Sequence, residues 1–240
     1  MNLYISKDIE ALSKSFADWL VTYINEVLSK QDRFTIALSG GSTPKKLYQL
    51  LASDSYKKQI AWERVHFFWG DERYVPLTDI RNNAKMVFEE LLDHVPVVKE
   101  QVYVMQTNID PQESAASYEK ILHSYFDNKP HSFDLVLLGL GDNAHTLSLF
   151  PGYEVVREHK KWVSVFYLKE QEMYRITLTP PVVNLAARVA FLVSGGDKAA
   201  AVYHIIASEH EPDLYPGQII QPFNGGIYWF CDEAAAADLE

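Results

Sequence analysis

His145 sits in a polar turn, GLGDNAHT, directly after the apolar run Phe133–Leu138. A buried strand that ends in glycines (Gly139, Gly141) and then presents Asp142, Asn143, His145 and Thr146 has the layout of a strand-end site in an open α/β sheet. Imidazole has an ordinary pKa of about 6.5, suited to moving protons near neutrality. The histidine is not part of an H-E-x-x-H zinc motif, and Ser148 lacks a G-x-S-x-G nucleophile elbow. A metal-free, non-covalent reaction is therefore expected, with His145 suited to act as general base. No cofactor is expected.

Three more stretches of chemistry-bearing residues lie at predicted strand ends. Ser39-Gly40-Gly41-Ser42-Thr43 joins a strand to a helix start. Its glycines allow close approach, and its hydroxyls and amides suit an anion such as phosphate, although a plain tight turn is equally compatible. It is neither a P-loop nor a dinucleotide fingerprint. Asp71-Glu72-Arg73 offers a guanidinium fork for phosphate or carboxylate, or an ion pair between neighbours. Ser194–Lys198 ends in a lysine at a helix start, where the helix dipole disfavours it. That suits phosphate pairing, and equally a solvated side chain.

These stretches need elements to bring them together. Apolar spacing predicts a helix over Ile9–Leu28 capped by Asp8, and helices from Thr43 and Pro44 to Leu51, Asn82 to Leu92, Asp110 to Phe126 and Lys198 to Ser208. Buried strands are expected at Phe34–Leu38, Val65–Trp69, Phe133–Leu138, Val189–Val193 and Ile227–Cys231. Trp162–Leu168 and Tyr174–Leu178 read as wetter strands, Pro180-Pro181 opens a short helix, and Asp232 caps a terminal helix to Leu239. Strands alternating with helices imply an α/β fold, a mainly parallel Rossmann-like sheet with helices on both faces, as one domain over 1–240. The strand-end loops of such a sheet share one edge and can line one cleft.

Composition narrows the partners. The 22 Lys and Arg against 32 Asp and Glu leave a formal net charge of −10, which argues against nucleic acid but not against a small phosphorylated ligand. The single cysteine, Cys231, excludes an internal disulfide and reads as a buried structural thiol. MNLYISKDIE is not a secretory signal, and no apolar run reaches membrane-spanning length. A cytoplasmic protein is expected, monomeric or a small homo-oligomer.

Taken in order, LSGGSTPKKLYQLL, FFWGDERYVP, Asn83 in RNNAKM, GLGDNAHTLSLFPG, YRITLTPPVVNLAARV, SGGDKAAAV and YPGQIIQPFNGGIYWFCDEAAA resemble the 6-phosphogluconolactonase family over nearly the whole chain. The resemblance implies a fold shared with sugar-phosphate isomerases and glucosamine-6-phosphate deaminases. It also implies hydrolysis of 6-phospho-D-glucono-1,5-lactone in the oxidative pentose phosphate pathway. The alternatives are a deaminase of the same architecture and a non-catalytic sugar-phosphate-binding protein. One departure stands out: the family reads Asp-Gly-His-Thr where this chain has Asn143-Ala144-His145-Thr146. A positive φ at Ala144 would cost about 1 kcal/mol. Asn143 lacks the charge that steadies an imidazolium, and the corresponding swap in the serine-protease triad costs about 10⁴-fold. Asp142 takes over, or the acid is dispensable, or the reaction is slow.

Overall fold

The main sheet is parallel throughout, because nearly every strand is followed by a crossover that returns the chain to the same end. The computed structural model describes residues 1–239. In chain order the elements begin with β1 (Asn2–Ser6), α1 (Ile9–Leu28), β2 (Phe34–Leu38), α2 (Ser42–Leu51), β3 (Val65–Trp69), β4 (Asp71–Arg73), α3 (Asn83–Glu90) and β5 (Val102–Tyr103). There follow α4 (Pro111–Phe126), β6 (Leu135–Leu138), β7 (Val163–Leu168), β8 (Met173–Leu178), α5 (Pro180–Val183), β9 (Arg188–Val193), α6 (Ala199–Ala207) and β10 (Gly226–Asp232). Seven strands form the main sheet in the order β1-β10-β9-β6-β2-β3-β5, and β4, β8 and β7 form a separate antiparallel sheet.

Both faces of the main sheet are covered, which explains strands that read as unbroken apolar runs. Side chains alternate across the pleat. Ile36, Leu38, Leu135, Leu137, Leu192 and Phe230 pack with Leu12, Phe16 and Leu20 of α1 and Leu47 of α2. The intervening Ala37, Val136, Leu138, Phe191 and Trp229 pack on the other side with Tyr118 and Leu122 of α4, Val182 of α5 and Val202 of α6. Asp8 caps α1 as expected, accepting from Ala11 N at 2.8 Å. Cys231 is fully buried, and burial pushes its thiol up to about 12.

The structure corrects several sequence expectations. Asp71–Arg73 is not a loop but β4, paired with β8 about a hundred residues later. Helix α2 begins at Ser42 with Gly41 as its N-cap, two residues earlier than a Thr43 cap would give, because Gly41 adopts a φ of +102°. Asp232 does not cap a terminal α-helix. Its carboxylate accepts from Ser194 Oγ (2.6 Å), Gly195 N (3.0 Å) and Ala235 N (2.8 Å), and the chain runs on through turns to a short 3-10 segment, Ala237–Leu239. The edge strands β1 and β5 were missed. β1 has only one neighbour, β10, and its residues are largely exposed, so it carries no buried-strand pattern.

Two features of this frame position the site. From β2 the chain goes to β3 and β5 on one side, whereas from β6 it goes to β9 and β10 on the other. The strand order therefore reverses between β2 and β6, where open α/β sheets leave a crevice at the carboxyl edge. A single residue, Gly70, separates β3 from β4. Its N–H donates to Leu38 O of the main sheet (2.9 Å), and its carbonyl accepts from Leu178 N of the small sheet (2.8 Å).

Candidate active site

A cleft of about 260 Å³ opens at that reversal point. Ser39–Thr43 after β2 and Gly139, Gly141 and His145 after β6 line it, with Asp71 and Arg73 of β4, Arg175 of β8 and Lys198 after β9. The structure thus brings together the sequence-predicted Ser39, Gly40, Gly41, Ser42, Thr43, Asp71, Arg73, His145 and Lys198. Asp142 and Asn143 lie beside the cleft but do not line it.

The loop after β2 is held from below. The buried hydroxyl of Tyr48 donates to Ser39 O (2.7 Å) and accepts from Ser39 N (3.1 Å). A methyl at Gly40 would stand 1.9 Å from Asn83 Oδ1, so any larger residue there would have to displace the Asn83 side chain. Gly41 offers no side-chain cap to α2. The first amides of the helix are left for an outside acceptor, at the positive end of its dipole. Asn83 donates from Nδ2 to Asp71 O (3.0 Å). The buried Glu72 accepts from the backbone N–H of Arg73, Asn83 and Ala84 (2.8, 2.7 and 2.8 Å), tying β4 to the start of α3.

His145 is held by its own turn. Its ring stacks on Phe150 with centroids 4.1 Å apart, and its Nδ1 lies 2.5 Å from Asn143 Oδ1. The amide oxygen can only accept, so Nδ1 carries the hydrogen and Nε2 keeps a free lone pair. His145 N also donates to the same oxygen, at 3.3 Å, which fixes which way the amide faces. Of the two residues expected to orient the ring, Asn143 makes the contact. Asp142 is exposed, and its carboxylate accepts from Asn143 N (2.9 Å) instead.

Withdrawal from water takes the His145 pKa down to about 4; the Asp71 and Asp142 carboxylates oppose the shift, and the Arg175 and Lys198 cations add to it. The ring is therefore neutral at pH 7. Between about 6.5 and about 4 the unfolded chain binds a proton that the folded chain refuses, so His145 makes stability fall as pH drops through that window. Asn143→Asp would set a full negative charge against Nδ1–H and raise the pKa by about 1–3 units. In an NMR titration the wild-type ring should keep its neutral shifts to about pH 5, and the variant should titrate higher. A wild-type midpoint near 6.5 would mean that the ring is solvated like a free imidazole.

Ala144 has a φ of +61°, the left-handed conformation at which alanine costs of order 1 kcal/mol. Its methyl is almost fully buried. Burying one such carbon stabilises by about 0.8 kcal/mol, which offsets most of the strain. Ala144→Gly should accordingly change unfolding free energy by less than about 1 kcal/mol in either direction, measured by urea denaturation.

Arg175 was not found from sequence. It is buried, donates from Nη2 to Gln171 Oε1 (2.6 Å) and lies 3.6 Å from Asp71 Oδ2, which also accepts from Ser148 Oγ at 2.6 Å. Its signal is a charged residue inside the strand, on the face opposite Ile176 and Leu178. Lys198 reaches the cleft edge, with Nζ 2.9 Å from Asp197 Oδ2. Among the described residues no group of three His, Cys, Asp or Glu is placed to hold a metal ion.

A profile of the family described as glucosamine-6-phosphate isomerases/6-phosphogluconolactonase matches residues 7–229. A 6-phosphogluconolactonase of Nostoc sp. is 39% identical over 236 residues, covering 97% of this chain and 95% of its own. One from Synechocystis sp. is 38% identical over 224 residues, covering 92% and 90%. The solved structure of 6-phosphogluconolactonase from Trypanosoma brucei superposes with a TM-score of 0.87 at 29% identity, covering 100% of this chain and 98% of that one.

Proposed function

We propose a lactonase reaction for this chain, which belongs to the glucosamine-6-phosphate isomerase/6-phosphogluconolactonase family: hydrolysis of 6-phospho-D-glucono-1,5-lactone to 6-phosphogluconate, in the oxidative pentose phosphate pathway. One arrangement supports it most. A neutral imidazole with a free Nε2 faces a cleft whose rim combines the open amides of α2 with Arg73 and Lys198.

In this reading the α2 amides, Ser42, Thr43, Arg73 and Lys198 hold the 6-phosphate. That leaves the lactone ring towards His145. Nε2 takes a proton from water as its oxygen bonds to C1, and the carbonyl electron pair moves onto oxygen. The carbonyl then re-forms and the C1–ring oxygen bond breaks. The imidazolium gives its proton to the departing ring oxygen, leaving a carboxyl group that ionises. Asn143 keeps the right nitrogen bare throughout. It adds no negative charge to steady the imidazolium, and Asp71 and Asp142 supply that field from farther away. Asp71 is read as a support for Arg175 and Ser148 rather than as a phosphate ligand, since its carboxylate would repel a phosphate.

Proton release from the phosphorylated lactone, with spontaneous hydrolysis subtracted, tests this directly. The protein should accelerate it strongly, and glucono-1,5-lactone lacking the phosphate should be a much poorer substrate. Ammonia release from glucosamine 6-phosphate would instead move the reading to a deaminase. Binding of the sugar phosphates without turnover of either would make the protein a binder.

A further inference from the structure

Arg73 of β4 and Arg175 of β8 stand directly opposite each other in the small sheet. Facing positions of an antiparallel pair share one side, and like charges there repel. Asp71 faces Thr177 two pairs along, on the same side, so this side of the sheet carries two guanidinium groups and a single carboxylate. Glu72 points the other way, into the amides of α3. The Nε of both arginines is buried and has no hydrogen-bond partner among the described residues. A buried donor left unpaired is costly unless something outside the chain completes it. Both side chains line the cleft.

The α2 amides, Lys198 and Arg73 cluster where the phosphate is proposed to sit. Arg175 keeps different company. Its Cζ lies 5.7 Å from the centroid of Phe150, the ring on which His145 is stacked. Its side chain is 4% exposed, and its contact with Asp71 is a charge contact at 3.6 Å, too long for a hydrogen bond. It therefore borders the region of the proposed base.

We propose that Arg175 is the electrophilic residue of the reaction: its guanidinium faces the C1 oxygen of the lactone, takes up the charge formed as water adds, and holds the carboxylate of the product. This rests on the lactonase reading above. No proton leaves Arg175. The C1=O electron pair moves onto the oxygen beside it and returns when the ring C–O bond breaks.

Two variants and two readouts test this. Arg175→Lys keeps a charge but loses the fork and its Nε. Arg175→Met with Asp71→Asn removes both charges, so that no carboxylate is stranded if the single variant folds poorly. The expected result is a fall in kcat of about 10²–10³-fold in the double variant, and less in the lysine variant, with KM changed by less than about 3-fold. Calorimetry with ligands that undergo no turnover gives the second readout. The wild type should bind 6-phosphogluconate at least about 10-fold more tightly than glucitol 6-phosphate, which has no carboxylate, and the double variant should erase that difference. A raised KM at unchanged kcat would assign Arg175 to the phosphate and overturn the proposal. Equal wild-type affinity for the two ligands, or a preference that survives in the double variant, would also overturn it. A wild type that shows the Arg175-dependent preference but hydrolyses no lactone would refute the reaction and leave the carboxylate contact standing.

Discussion

His145→Gln should reduce lactone hydrolysis above background by about 10²–10⁴-fold, the usual contribution of one general base. The loss should fall on kcat, because the groups proposed to hold the phosphate come from other elements: α2, β4 and the loop after β9. Glutamine fills similar space beside Phe150 but cannot carry a proton from water to a leaving oxygen. Since the wild-type ring is neutral at pH 7, its removal takes no charge from the cleft. Binding of 6-phosphogluconate should therefore stay within about 3-fold of wild type. The two measurements are steady-state hydrolysis with background subtraction and calorimetric titration of the product. A variant that hydrolyses at the wild-type rate would remove His145 from the chemistry.

Gly141→Ala should lose about 10²-fold or more while the protein stays folded. A methyl at this position would lie 2.0 Å from His145 Nδ1 and 2.2 Å from Cε1, and 2.9 Å from Asn143 Oδ1. The only groups in its way are side chains that can swing aside. Gly141 is not among the positive-φ glycines, so the backbone tolerates alanine. The ring must then leave both its stack on Phe150 and its bond to Asn143. The expected signature is a thermal midpoint close to wild type together with collapsed turnover. Near-normal activity would mean that the observed ring position is not the working one.

Much of this site was readable because its pieces end strands. Ser39–Thr43, His145 and Lys198 each follow an apolar run, and the sheet rules alone send such loops to one edge. What could not be read depends on pairings between distant segments. Asp71-Glu72-Arg73 carries no strand pattern of its own. It becomes a strand only because Asp71 meets Thr177 and Arg73 meets Arg175. For the same reason Arg175 looked like an ordinary strand residue, since nothing near it in sequence tells that it faces a second arginine. The choice between Asp142 and Asn143 was also beyond sequence. It turns on which side chain curls back within one tight turn, and Asp142 is taken up by its neighbour's amide. The β1 edge strand escaped because it is exposed and has one neighbour, so burial left no periodic mark.

Gly70 joins the two halves of the site. The proposed base comes from the main sheet, and Arg73 and Arg175 come from the small one. A hinge between them would let the cleft breathe, and a substrate would then have to close it. Instead one residue bonds to both sheets, through its N–H on one side and its carbonyl on the other, and a side chain there would collide with Leu147 at 2.6 Å. The distance from anion grip to imidazole is thus set when the chain folds, before any ligand arrives. Little ordering entropy remains to be lost on binding, and the attraction of the phosphate can go into holding the lactone against the base rather than into assembling the site.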